Sequence, residues 1–116
     1  MPIIHYPGYI SREEAALRNK VQVRTINDQV RRKDIAHVRI DGFVYIKDNA
    51  PGQPAPPSNI SLAGLKWITH VAHSNKFIPE RLYEEVIIGK VTGIVVVDHV
   101  FVSPDDPELI LFLKNV

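Results

Sequence analysis

The chain has no cysteine among its 116 residues, so neither a disulfide nor a thiolate metal site can be built, which excludes secreted disulfide scaffolds and zinc fingers. No uninterrupted apolar run approaches the ~18 residues that a membrane span needs. The opening Met1-Pro2-Ile3-Ile4-His5 lacks the basic-then-apolar layout of a signal peptide, and a cytoplasmic protein without membrane contact is expected. Aromatics are sparse, at 8% of residues, and form no exposed strand platform of the type that single-stranded RNA readers use. Catalytic groupings are missing as well: there is no nucleophile motif, no glycine-rich phosphate loop and no spaced carboxylate dyad. Among five histidines only His70 and His73 share a helical face, and no patterned third ligand accompanies them. The expectation is a protein that is not an enzyme and holds no metal or cofactor.

Charge of one sign is also scarce overall, the net being +1, but it is unevenly spread. Residues 1–50 hold nine Lys and Arg against six Asp and Glu, residues 51–116 hold five against seven, and from Arg18 to Lys47 the count is eight against three. A cationic surface concentrated on one element is the electrostatic footprint of phosphate contact. An apolar content of 45% is enough for a real core, and the length suits one domain or two very small ones.

The stretch from Tyr9 to Lys47 divides into three physical pieces. Ser11 is placed as an N-cap with Glu13 and Glu14 in the first turn, and Ala15, Ala16 and Leu17 carry a helix to about Arg18. After Asn19-Lys20, Val21 begins a second helix whose Val23, Ile26 and Val30 make one buried stripe. Its other face carries Arg24, Thr25, Asn27, Asp28, Arg31 and Arg32. Ile35, Val38 and Ile40 then begin a strand, Asp41-Gly42 marks a two-residue hairpin turn, and Val44, Tyr45 and Ile46 return.

Ile10-Ser11, Glu14-Ala15-Ala16, Val21, Thr25-Ile26, Arg31-Arg32-Lys33 and Val38-Arg39-Ile40 before Asp41-Gly42 follow one another in the order of a known motif. In this the segment resembles the MerR-like winged helix-turn-helix of the excisionase family, which typically reads I-S-x-x-E-A-A, V-x-x-x-T-[VI], a basic patch, then V-x-[IV] and a hairpin. The resemblance covers about a third of the chain and implies binding of double-stranded DNA, with the second helix in the major groove and the hairpin wing over the adjacent backbone. The family commonly has Gly at the inter-helix break and after the second helix. This chain has Lys20 and Lys33 there, so both lysines must take conformations that Gly adopts more cheaply, at ~1 kcal/mol each.

Asn49 to Asn59, rich in proline and glycine, reads as a linker. Beyond it, a shift of fifty-six positions superposes Asn19-Lys20 on Asn75-Lys76, Val21 on Phe77, Ile26 on Leu82, Val30 on Val86, Ile35 on Val91, Val38 on Ile94, Ile40 on Val96 and Val44-Tyr45-Ile46 on Val100-Phe101-Val102. Residues of about 62–103 then read as a degenerate second copy. The alternative is a single α+β domain whose second half is an unrelated helix-strand unit. Opposite the polar face of the first copy stand Glu80, Arg81, Tyr83, Glu84, Ile87 and Ile88; phosphate would repel a helix carrying Glu80, Glu84 and Glu85, and Ile87 and Ile88 suit a protein partner. Pro79 and Gly89 mark the start and end of that helix. Asp105, Asp106, Pro107 and Glu108 start a last helix whose Leu109 to Leu113 run closes the core or forms a seam between copies.

The expected fold is α/β of the α+β kind: tandem small winged helix-turn-helix units, each of two or three short helices and a hairpin wing. Residues 1–48 would bind DNA, 49–59 would link, and 60–116 would serve assembly. In the first unit Arg24, Thr25, Asn27 and Asp28 would face base edges, and Arg18, Lys20, Arg31, Arg32, Lys33, Arg39 and Lys47 would touch phosphates. In the second, Tyr83, Ile87, Ile88, Leu109 and Phe112 would form a protein interface, with a homo-oligomer as the expected assembly. The function that follows is sequence-specific duplex binding in transcription regulation or recombination. The competing expectation is an interaction module that kept the winged fold and lost nucleic acid.

Overall fold

The computed structural model describes residues 3–52, 54, 55 and 60–116, so linker positions 53 and 56–59 lie outside the described residues. The linker residues that are described belong to no helix or strand. Strand β1 (Ile3–Tyr6) leads into β2 (Tyr9–Ile10), α1 (Arg12–Asn19), α2 (Val23–Arg31) and the hairpin of β3 (His37–Ile40) and β4 (Phe43–Lys47). After the linker come β5 (Lys66–Trp67), α3 (Ile68–Ser74), α4 (Pro79–Ile87), the hairpin of β6 (Gly93–Val96) and β7 (His99–Val102), and α5 (Pro107–Lys114). The architecture is mixed α and β, with two small sheets ordered β2-β4-β3 and β1-β6-β7-β5.

Local chemistry accounts for the helix ends. Ser11 Oγ accepts the Glu14 N–H at 3.0 Å, which satisfies one of the amides at the start of α1 that have no partner within the helix. At the other end Lys20 turns left-handed, with φ 56°, and the Val21 N–H returns to the Ala16 carbonyl at 3.0 Å. Val21 is therefore spent on closing α1. For that reason the second helix starts at Val23 rather than Val21, behind an extended Gln22 that makes no side-chain cap. Ile35 likewise precedes its strand, which begins at His37, and packs instead beneath the helices.

The fifty-six-residue offset recurs in the backbone itself. It relates α2 to α4 and β3 to β6 end for end, and it carries the left-handed positions Gly8, Lys20, Lys33 and Asp41 onto Gly64, Lys76, Gly89 and Val97. The closing bonds repeat too: Val21 N–H to Ala16 O is matched by Phe77 N–H to Ala72 O, and Asp34 N–H to Gln29 O by Lys90 N–H to Glu85 O. Lys20 and Lys33, as the sequence demands, both take the left-handed conformation, at φ 56° and 61°.

Three apolar cores stack in order. Alternation along β4 sends Val44 and Ile46 toward Ala15, Ala16, Ile26 and Val30 of α1 and α2, and sends Phe43 and Tyr45 the other way. Along β7, Val100 and Val102 face Ile68, Leu82, Val86 and Leu109 of the second helical layer, while Phe101 faces back. Between the sheets lie Ile40, Tyr45, Leu62, Leu65, Ile94, Val96 and Phe101, all buried. The molecule is thus helices, sheet, sheet and helices, and neither hairpin stands free as a projecting wing. Burying each large side chain of this middle core contributes roughly 1.5–3 kcal/mol.

The N-terminal strand departs from the expected division of the chain. Instead of belonging to a unit of residues 1–48, Ile3 to Tyr6 pair in parallel with Gly93 to Val96 and complete the second sheet. The two-residue step Pro7-Gly8 is what lets neighbouring strands enter different sheets; Gly8 takes φ 96° there. Leu109, 2% exposed, is absorbed into the chain's own core, and Phe112 packs beside it against Phe77 at 5.4 Å between rings. The last helix therefore closes the second half, and Leu109 is not an intermolecular contact.

Two substitutions test the backbone account. A Cβ at Gly93 would sit 2.5 Å from Val86 Cγ1, so Gly93→Ala is expected to lower stability by about 1–3 kcal/mol in urea unfolding. Val97 is a β-branched residue held at φ 59°, and Val97→Gly is expected to raise stability by about 1 kcal/mol by the same measurement.

Candidate nucleic-acid interface

On α2 the helical period puts Arg24, Asn27, Asp28 and Arg31 on one strip opposite the buried Ile26. Arg24, Asn27, Arg31 and Arg32 are exposed, not covered by any described residue of the second half; Thr25 and Asp28 are half-buried at the strip's flank. Beside this strip opens a cleft of about 560 Å³ lined by Arg12, Asn27, Val30, Arg31, Lys33, His37, Arg39, Gly42 and Val44. It holds four cationic side chains and no carboxylate among the described lining residues. Arg12 was not singled out by the sequence. Its Nη1 donates to Asn27 Oδ1 at 2.9 Å, which fixes the orientation of the amide. Arg31 is shared with Asp28 one turn earlier, an ion pair on the solvent side that steers the guanidinium and contributes little stability.

Arg18 and Lys47, expected at the same surface, do not gather here. Arg18 donates to Glu14 at 3.1 Å and to Asp48 at 2.8 Å, so its charge is met within the protein. Hydrogen bonds donated to these two carboxylates hold the guanidinium further into its charged range, and the Ala50 amide and then Arg18 hold the Asp48 carboxyl below its ordinary value despite some burial. Arg18 and Lys47 line a separate hollow with Asp48 and Asn49 rather than the cationic cleft. Lys20 is exposed at the left-handed turn between the helices, and Arg32 at the end of α2.

The hairpin turn is not available as a wing tip. Asp41 Oδ2 accepts the Trp67 N–H at 2.9 Å and lies 2.7 Å from His70 Nδ1, which ties the turn to the start of α3 in the other half of the chain. Burial would push the Asp41 carboxyl up, but the Trp67 amide, His70 and Lys66 outweigh it and hold it below its ordinary value. His70 is thereby engaged, and among the described residues no group of three or more His, Asp or Glu is arranged for a metal. Close by, Tyr45 Oη lies 2.9 Å from His99 Nδ1. Burial first, then Asp98, push its ionisation well above the usual phenol range.

The same surface in the second half differs at six cations, while Lys20 recurs as Lys76. By the fifty-six-residue offset, Arg12, Arg24, Arg31, Arg32, Lys33 and Arg39 correspond to Ile68, Glu80, Ile87, Ile88, Gly89 and Val95. Ile87 and Ile88 stay 52% and 63% exposed, with Tyr83 next to them at 40%, so the expected apolar surface of α4 is present. No helix among the described residues is long and apolar enough to cross a membrane. No family model, characterised protein or solved structure matches the chain.

Asp41→Asn tests the fastening of the turn. A carboxyl that titrates below its unfolded value of 3.8 contributes fully above that value and loses its contribution as pH falls through the lower folded value. The substitution is therefore expected to lower stability by about 1–3 kcal/mol at neutral pH and to flatten the acid limb of the stability profile, read by thermal unfolding from pH 7 down to pH 2.

Proposed function

We propose that the first half binds double-stranded DNA through the outer strip of α2 and the cationic cleft beside it, as one of two winged helix-turn-helix copies. The observation that carries this reading is the six-position contrast between the halves. The same backbone supports Arg12, Arg24, Arg31, Arg32, Lys33 and Arg39 in one copy and no cation at the matching positions in the other. Folding alone does not call for those charges. A helix of this length offers ~1.5 Å per residue along its axis and fits a major groove ~12 Å wide. Arg24 and the Asn27 amide are the base-facing groups, for guanine and adenine edges respectively. Arg31, Arg32, Lys33 and Arg12 would meet phosphates, and Arg39 would do so from the helix side of its strand rather than from a wing tip. Arg18 and Lys47 fall outside this set. Transcription regulation and recombination both use such a reader.

One such face buries little surface on DNA, so affinity would gain from a second copy. The exposed Tyr83, Ile87 and Ile88 support assembly of a homo-oligomer through α4. A second reading, an interaction module without DNA affinity, is favoured by one observation: the turn that a free wing would insert is held by Trp67 and His70.

Arg24→Ala is expected to cost about 1–3 kcal/mol of duplex binding and to relax sequence preference, while Arg32→Ala weakens all duplexes alike and flattens the salt slope. Fluorescence titration of duplexes over a range of salt measures both. A wild-type chain with no duplex affinity at low salt would leave the interaction module. Ile87→Glu with Ile88→Glu is expected to shift sedimentation toward the monomer with little change in unfolding midpoint, since both side chains already face solvent.

A further inference from the structure

The two copies differ in one more respect, at their sheet edges. In the second half the outer edge of β6 is occupied: β1 lies along it in parallel, Ile3 opposite Gly93, Ile4 opposite Ile94, His5 opposite Val95 and Tyr6 opposite Val96. The corresponding edge in the first half is that of β3, and no strand lies on it among the described residues. An open edge presents a row of unpaired N–H and C=O groups to any extended chain of the right shape. We infer that the free edge of β3 is a strand-addition site for an extended acidic peptide, taken up in parallel with side chains in the order acidic, apolar, acidic, apolar.

The order comes from the occupied copy. There Ile3 packs into the core beneath the helices, and Tyr6 reaches the core between the sheets. Period-two alternation therefore places the first and third residues of an added strand on the helix side and the second and fourth on the inter-sheet side. Moved to the first half, the register becomes His37, Val38, Arg39 and Ile40. The helix side is now the cleft with Arg31, Lys33 and Arg39, where a carboxylate is paired and an apolar group is not. On the other side the neighbours are Val38 and Ile40, which suit apolar side chains. Main-chain bonds to β3 supply affinity and the alternating side chains supply selection. This site does not rest on the DNA reading, because Arg24 is no part of the cleft lining. Where duplex is bound, the two ligands need the same Arg31 and Arg39 and exclude one another.

The test uses the full chain and fluorescein-labelled synthetic peptides with the core Asp-Ile-Glu-Tyr between Gly-Ser flanks. The frame-shifted core Ile-Asp-Tyr-Glu has the same composition and is expected to bind at least about tenfold more weakly. Two further peptides carry N-methyl groups at the first and third or at the second and fourth core residues. One pair blocks the N–H groups that face β3 and is expected to lose about tenfold or more, the other to bind as the parent does. Arg31→Glu with Arg39→Glu should abolish binding, and Arg24→Ala should leave it unchanged. No binding by the parent peptide, equal affinity for the two frames, or equal responses to the two methylation patterns would overturn the site. Duplex titration of the same wild-type chain is read separately, so failure of DNA binding leaves the peptide result standing.

Discussion

Face-to-face packing of the two sheets is the constraint on which the other features depend. Each hairpin alone has a second apolar face, Phe43 and Tyr45 on one and Ile94, Val96 and Phe101 on the other, that water would meet if the halves separated. A two-stranded hairpin by itself is marginally stable at best, and these small three- and four-stranded sheets would leave that apolar face in water. Stacking them buries both faces at once and pushes the helical layers to opposite outer sides. Phe43 marks the seam, with Trp67 at 5.0 Å, His99 at 4.2 Å and Phe101 at 5.9 Å between ring centroids. The bonds from Asp41 to the start of α3 then set how the halves sit against each other along that seam.

Because the sheets face inward, most of the variation in outer chemistry falls on the helices, with Arg39 on its strand as an exception. α2 and α4 share a backbone and a buried stripe, Ile26 and Val30 in one and Leu82 and Val86 in the other, yet one outer strip is cationic and the other acidic and apolar. The β1 strand deepens the difference, since its Ile3 fills the space under α4 that is an open charged cleft under α2. One copy is thus closed and the other left accessible.

Much of this was legible in the residues. Ser11, the Val23, Ile26 and Val30 spacing, Asp41-Gly42, Pro79 and Gly89 each act within a few positions, and local chemistry suffices to place the elements they bound. The offset between halves was legible from apolar spacing, while the matching left-handed positions gave it backbone support. The burial of the hairpins on both faces departs from the expected wing: Phe43-Val44-Tyr45-Ile46 is apolar on both faces, a pattern of strands covered on both sides. Ile3-Ile4-His5-Tyr6 before Pro7-Gly8 carries a strand signal, but its partner at Gly93 is remote and nothing local names it. The partners of Arg18 and Asp41 are tertiary for the same reason, so a count of cations overstated how many stand free.

The pairing of Ile3 with Gly93 spans ninety positions, and it has a bearing on how the polypeptide matures. While the chain is being made, the first helical pair and its hairpin have all their local partners once Lys47 has emerged. The opening tetrad has none until Gly93 to Val96 exist. It is without its strand partner through synthesis of most of the molecule, an apolar segment joined by two residues to an already structured body. Its insertion is a late step, and the two halves become one topological object only when the newest strands receive the oldest.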